Sequence, residues 1–284
     1  MKKLGFIGGG NMAEALMAGL LQNRVFAPAD LIASDVDAVR RSRLKRRLKV
    51  ATTADNPAVI REARAILLAV KPQNIDEVLV ELAGAMGSGG DGDNRAARAI
   101  APKDRLFISI AAGITIARLT AGLGHGARVI RVMPNAPAMV GQGMAAMVRA
   151  PGASKADEAF ALRIFRAVGD AVALIDEHQL DAVTALSGSG PAYVYLFVKA
   201  MSDAGVAEGL DPALAVRMAL KTIRGAEENM RRSTMDAAEL IRIVASPGGT
   251  TEAALRKFAE AGFSDIVAGA LHAAADRSRE LGRG

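Results

Sequence analysis

From the N-terminus to about Ile175, short apolar runs alternate with longer stretches whose apolar residues recur at i, i+3 and i+4. "KLGFIG" precedes a helical pattern over 11–23, "DLIASD" precedes another over 37–47, and "AILLAV" leads into "PQNIDEVLVELAGAM". "LFISIAAG" is followed by "TIARLTAGL". Then come "RVIRVMP", "GMAAMVRA", a helical pattern over 154–168, and "AVALI". Short apolar runs alternating with helical segments predict parallel βαβ units. Several runs are continuously apolar, as strands covered on both faces require. The expectation is an α/β fold with a Rossmann-type doubly wound sheet.

Beyond Ile175 the strand pattern stops. From His178 onward Ala, Leu, Met, Glu, Arg and Lys recur at helical spacing, broken by "SGSGP", "GLDP" and "SPGG". This places a boundary near 175, with a dinucleotide-binding domain over 1–175 and an all-α domain over 176–284. Small residues dominate the helix faces of the second part, and such flat faces are readily buried by a second copy, so a dimer or larger assembly is expected. The segment 84–104, "GAMGSGGDGDNRAARAIAPKD", lacks hydrophobic periodicity and reads as a surface loop lengthened by insertion.

Composition narrows the function classes. Hydrophobic residues make up 51% and charged residues 23% of the 284, which is ordinary for a globular chain. The apolar runs are too short to cross a bilayer, and "KKLGFIGGG" does not read as a signal peptide, so a cytoplasmic location is expected and no membrane partner. The absence of cysteine excludes disulfides, cysteine nucleophiles and thiolate metal sites. A net charge of +6 raises nucleic acid as a partner. Yet the basic run "RRSRLKRRLK" (40–49) has no aromatic residue, and the whole chain has two Tyr and no Trp. Without a stacking platform, nucleic acid is not expected as the partner, and the basic surface equally suits small anions. The three histidines, His125, His178 and His272, lie far apart with no metal-ligand spacing, so no metal is expected.

The candidate chemistry begins at "GFIGGGNMA". Gly8, Gly10 and Ala13 have the G-x-G-x-x-G/A spacing, directly after a strand and opening a helix. Gly8 permits the tight turn, Gly10 lets a pyrophosphate approach, and Ala13 is small enough for close helix–strand packing. About 20 residues further on, Asp35 ends the second strand, where a carboxylate accepts from an NAD ribose. Ser34, Arg40 and Arg41 beside it suit the 2′-phosphate of NADP, so both cofactors stay open. Lys71, before Pro72 at another strand end, is a cofactor contact, a catalytic base or a plain loop lysine. "SIAAG" (109–113) offers small residues on which a flat ring can lie, and Asn135 sits between two prolines. "SGSGP" and "SPGGTT" each put small residues before a helix, with Pro191 in the first turn of one. In the other, Thr250 or Thr251 stands near the N-cap and Glu252 in the first turn. Both read as donor-rich helix N-termini suited to a carboxylate.

In this order, "GFIGGGNMA", "VKPQ", "SIAAG", "RVMPNAPAMVGQG", "LSGSGPAY" and "SPGGTT" resemble the pyrroline-5-carboxylate reductase family over nearly the whole chain. The resemblance implies a Rossmann domain followed by a helical dimerisation domain, with dimers that can assemble further, up to decamers. It implies hydride transfer from NADPH or NADH, with NADPH slightly favoured, to the C=N carbon of 1-pyrroline-5-carboxylate, giving L-proline. By the same resemblance, cofactor contacts map to Gly8, Gly9, Gly10, Asn11, Met12, Ala13, Ser34, Asn56, Ala69, Val70, Lys71, Pro72, Ile110, Ala111 and Ala112. Substrate contacts map to Glu177, Ser246, Gly248, Gly249, Thr250 and Thr251, with the Thr251 hydroxyl near the ring nitrogen. An imine needs little beyond positioning against a nicotinamide, which fits a chain without a His or Cys machine. A β-hydroxyacid reductase, which opens with a similar loop, would need Lys199 or Lys221 as its catalytic lysine. A non-catalytic nucleotide sensor would not need "SPGGTT".

Overall fold

The computed structural model describes residues 1–87 and 100–283. Eight strands form one sheet: β1 (Lys2–Ile7), β2 (Leu31–Ser34), β3 (Ala51–Thr53), β4 (Ala63–Leu68), β5 (Leu106–Ser109), β6 (Arg128–Pro134), β7 (Gly143–Arg149) and β8 (Gly169–Ala173). Their order is β3-β2-β1-β4-β5-β6-β7-β8. Neighbours run parallel except β6 and β7, which are antiparallel. That pair departs from the expected run of βαβ units. Only a short 3₁₀ turn, Ala136–Val140, joins the two strands, and a parallel return needs a longer crossover.

Alternation along each strand sends side chains to opposite faces. In β1, Leu4 and Phe6 join one core cluster and Ile7 joins the other. Gly5 faces the second side, where a Cβ would stand 2.3 Å from Val59. Helices α1 (Asn11–Gln22), α2 (Ala38–Leu48) and α6 (Lys155–Arg166) cover the first face through Leu16, Met17, Leu20, Leu44, Ile164 and Phe165. The second face is covered by α3 (Asn56–Glu62), α4 (Ile75–Gly87) and α5 (Ile116–Leu123), through Val59, Ile60, Leu79, Leu82, Leu119 and Leu123. The sheet is doubly wound, as the continuous apolar runs predicted. Of the segment 84–104, residues 88–99 lie outside the described residues. Residues 84–87 finish α4, and Pro102–Asp104 form a 3₁₀ turn.

The chain divides into two compact units. One comprises Met1–Gly188 with Ala274–Gly284, and the other Ser189–Ala273. The first unit runs past residue 175 because Leu180 of α7 (Gln179–Val183) packs with Ala146 and Val148 of β7. A π-helical turn, Thr184–Gly188, follows. The end of α12 (Phe263–Arg283) belongs to the same unit: Ser278 Oγ donates to Asp181 Oδ1 at 2.6 Å, and Leu281 lies against Gly113. The second unit holds α8 (Gly190–Ala207), α9 (Pro212–Arg232), α10 (Ala237–Val244) and α11 (Thr250–Glu260), with the start of α12. Phe197, Phe258 and Phe263 cluster there, with ring centroids 5.3 and 6.5 Å apart.

Two helix starts fall where the sequence placed them. In "SGSGP", α8 opens at Gly190 with Pro191 in its first turn, as expected, and its N-cap Ser189 has helical angles (φ −84°, ψ −23°) because the π turn leads straight into it. Gly188 is held close to Met133, whose Cε would stand 2.5 Å from a Cβ there. In "SPGGTT" the N-cap of α11 is Gly249, and the two threonines are already inside the helix. A further break at 233–236 carries no Gly or Pro. There Asp236 caps α10 with its side chain, accepting from the N–H of Glu239 at 2.8 Å.

Candidate functional site

Strand order reverses between β1 and β4, so successive connections pass to opposite sides of the sheet there. Ligands of open α/β sheets bind at the carboxyl ends of strands at such a point. A groove of about 740 Å³ opens at this place. Gly8 turns the chain out of β1 with φ +95°, and a Cβ on it would stand 2.7 Å from the carbonyl oxygen of Ala69. Gly10 has nothing within 4 Å where its Cβ would project, so the bare backbone faces open groove. Asn11, Met12 and Ala13 begin α1, and their N–H groups have no helical carbonyl to bond. An open N-terminus beside a bare glycine is the cradle that a dinucleotide pyrophosphate requires. Ala13 itself is fully buried against the sheet.

The end of β2 is arranged differently from expectation. Asp35 is almost buried, and each of its carboxylate oxygens already accepts a backbone N–H: Gly9 at 2.8 Å and Asp37 at 2.8 Å. It braces the glycine loop against the β2–α2 turn. Ser34 is fully buried, and its hydroxyl donates to Asn56 Oδ1 at 2.6 Å. Asn56 Nδ2 in turn donates to Glu81 Oε2 at 2.7 Å. Arg40 lines the groove, 3.7 Å from Asp35. Arg41 turns away to bond the carbonyls of Asp35 and Val36 at 2.6 and 3.0 Å.

The remaining strand ends complete the walls. Ala69, Val70 and Lys71 follow β4 into the groove, while Pro72 opens a 3₁₀ turn outside its lining. Ile110 and Ala112 face the groove, whereas Ala111 between them is buried in the core. Met133 and Pro134, at the end of β6, close the same wall. Asn135 is a tie: Nδ2 donates to the carbonyl and hydroxyl of Ser187 at 3.2 and 3.1 Å, and Oδ1 accepts from the Met144 N–H at 2.8 Å. On its outer side, α4 is fixed by Arg118, which donates to both oxygens of Asp76 at 2.6 and 3.1 Å. That hydrogen bond holds the Asp76 carboxyl below its ordinary range.

Glu177 lies away from the groove. Its Oε1 accepts from Arg131 Nη1 at 2.6 Å and from the Ile116 N–H at 2.8 Å, beside a cavity of about 250 Å³ that Thr115, His178 and Arg279 also line. In the second unit, Gly248 turns with φ +71°, and the Gly249 N–H donates to the Ser246 carbonyl at 3.0 Å. A Cβ on Gly249 would crowd Ser246 Oγ at 2.7 Å. Thr250 and Thr251 lead α11 with open N–H groups, and Ser246 and Thr250 are exposed. Lys199, the alternative catalytic lysine, pairs with Asp203 at 2.5 Å.

Comparison with known proteins identifies the family. Residues 177–281 match the family described as pyrroline-5-carboxylate reductase dimerisation, and residues 3–88 match one described as NADP oxidoreductase coenzyme F420-dependent. The pyrroline-5-carboxylate reductase of Synechocystis sp. is 40% identical over 281 residues, covering 99% of this chain and 98% of that protein. The chain belongs to the pyrroline-5-carboxylate reductase family. Among solved structures, the family member from Coxiella burnetii superposes with a TM-score of 0.87 at 32% identity, covering 99% and 98% of the two chains. The Plasmodium falciparum reductase, solved with NADP bound, gives 0.85 at 29% identity over the same shares.

In this chain, the groove also contains residues not named as site candidates: Val36, Asn74, Glu77, Val78 and Glu81, with Met133 and Pro134 from the quoted "RVMPNAPAMVGQG" stretch. Glu77 and Glu81 are four apart in α4, hence on one helix face, a spacing visible in the sequence. Met133 carried no such signal, since a methionine ending an apolar strand reads as core. Among the described residues, no helix is long and apolar enough to cross a membrane.

Proposed function

We propose that this chain reduces 1-pyrroline-5-carboxylate to L-proline, the last step of proline biosynthesis, with NADPH or NADH as reductant. The observation that carries the reading is the end-to-end likeness to reductases named for this substrate. The groove in the first unit fits the cofactor by its own chemistry, in the bare Gly10 and the open N-terminus of α1.

When bound, the nicotinamide cofactor supplies the hydride that the imine carbon receives. The chain's residues do the rest by positioning. Gly8 to Ala13 hold the pyrophosphate, with Asp35 keeping the loop in shape. Ala69 to Lys71, Ile110, Ala112 and Met133 form a wall of small and apolar side chains suited to a flat ring. The turn at Ser246–Thr251 receives the substrate carboxylate on the open N–H groups that begin α11, and the Thr251 hydroxyl supplies a hydrogen bond at the ring nitrogen. Glu177 orients the start of α5 through Ile116 and Arg131 and is kept in this reading as a positioning residue.

Self-association belongs to the same proposal. Tyr195, Leu196, Met218, Leu220, Ile243 and Val244 are exposed on the helices of the second unit, more apolar surface than a lone chain leaves in water without cost. A homodimer is its smallest form, with further assembly to a decamer as an extension. The cytoplasm, where reduced nicotinamide cofactors are regenerated, is the compartment implied. Oxidation of NADPH or NADH that depends on added 1-pyrroline-5-carboxylate tests the activity. No such oxidation with either cofactor would refute it.

A further inference from the structure

We propose that Glu81 sets the cofactor preference of this chain, holding the Asn56 amide so that the groove takes a ribose 2′-hydroxyl in preference to a 2′-phosphate. The proposal rests on the reading of the groove as the NAD(P)H site. The end of β2 is where sheets of this class read the ribose 2′ position. Asp35, the carboxylate normally expected there, is already bonded to two backbone N–H groups. Three groups remain near it. Ser34 is fully buried and its hydroxyl points inward to Asn56 Oδ1 at 2.6 Å. Asn56 Nδ2 donates to Glu81 at 2.7 Å, and Arg40 stands 3.7 Å from both Asp35 and Asp37.

The direction of the Asn56 amide is set by Glu81 alone. Ser34 can donate to Oδ1 or accept from Nδ2, whereas an ionised carboxylate only accepts. Glu81 therefore takes one of the two Nδ2 hydrogens and holds a negative charge beside the other, which disfavours a 2′-dianion there. A 2′-hydroxyl meets the same carboxylate as a donor. Glu81 thus takes the part that Asp35 has given up to the glycine loop, while Arg40 pulls in the opposite direction for NADP.

Two variants separate charge from hydrogen bond. Glu81→Gln keeps an acceptor for Asn56 Nδ2 and removes the charge; Glu81→Ala removes both. Calorimetric titration of the full chain with NADP⁺ and with NAD⁺ needs no turnover. The ratio of NADP⁺ to NAD⁺ affinity is expected to rise about tenfold in Glu81→Ala and about threefold in Glu81→Gln. Thermal melting of each variant checks that it is folded, and Glu81 is exposed on α4. A ratio that stays within about twofold of the parent in both variants, with both nucleotides binding, would overturn the role of Glu81 alone. No binding of either nucleotide to the parent chain would overturn the groove assignment itself.

Discussion

The carboxylate of Glu252 reaches back across the first turn of α11 and accepts the N–H of Gly248 at 2.6 Å. One donor of the Ser-Pro-Gly-Gly-Thr-Thr turn is therefore already spent, and that of Gly249 goes to Ser246. If this turn receives the substrate carboxylate as proposed, the N–H groups of Thr250, Thr251 and Glu252 are left for it, close to the Glu252 charge. Glu252→Gln keeps an acceptor for Gly248 and removes the charge. It is expected to lower the KM for 1-pyrroline-5-carboxylate about two- to fivefold, leaving the cofactor KM unchanged. A raised substrate KM would show that the charge organises the turn.

Thr251 occupies the second position of α11, with its side chain half-buried. If its hydroxyl serves the ring nitrogen, Thr251→Val should cut kcat by roughly a hundredfold, with Thr251→Ser close to the parent. Full turnover in the valine variant would remove the hydroxyl from the chemistry.

Asp35 offers a test that separates a brace from a ribose ligand. Asp35→Ala leaves the N–H groups of Gly9 and Asp37 without their acceptor, at a cost of about 1–3 kcal/mol each where they are shielded from water. The melting temperature should fall, and affinity for NAD⁺ and NADP⁺ should fall together as the glycine loop loosens. Loss confined to NAD⁺ would return Asp35 to the ribose.

Acid stability should report the joint between β6 and α6. Burial pushes the Asp157 carboxyl up, but hydrogen bonds from Arg128 and Ser154, with the Arg128 charge, outweigh it and hold it below its ordinary value. A depressed carboxyl contributes stability that is fully present above the unfolded value and is lost as pH falls through the folded one. Asp157→Asn should cost about 1.5–3 kcal/mol at neutral pH and flatten the decline in denaturant stability below about pH 4. An unchanged acid limb would show that other carboxylates dominate it.

The sheet was legible because continuous apolar runs are strands under almost any packing. The short edge strand β3 escaped because Ala51–Thr53 is half-exposed and carries no apolar run. The β6–β7 reversal turned on a missing helix rather than on any residue present. At the site, the glycine loop was legible because backbone conformation and close approach restrict residue type directly. The engagement of Asp35 by Gly9, of Asn56 by Glu81 and of Glu177 by Arg131 spans 26, 25 and 46 residues of sequence. Such pairings arise only once the sheet has brought distant strand ends together. The π turn at Thr184–Gly188 left no compositional mark, since its small residues read equally well as a break.

The return of Ala274–Gly284 to the first unit fixes an order of events during synthesis. The glycine loop and all eight strands leave the ribosome long before Ser278 and Leu281 do. Until those two residues emerge, Asp181 and Gly113 lack their partners. The nascent nucleotide-binding unit must therefore wait, unlatched, while the intervening helices are still being made.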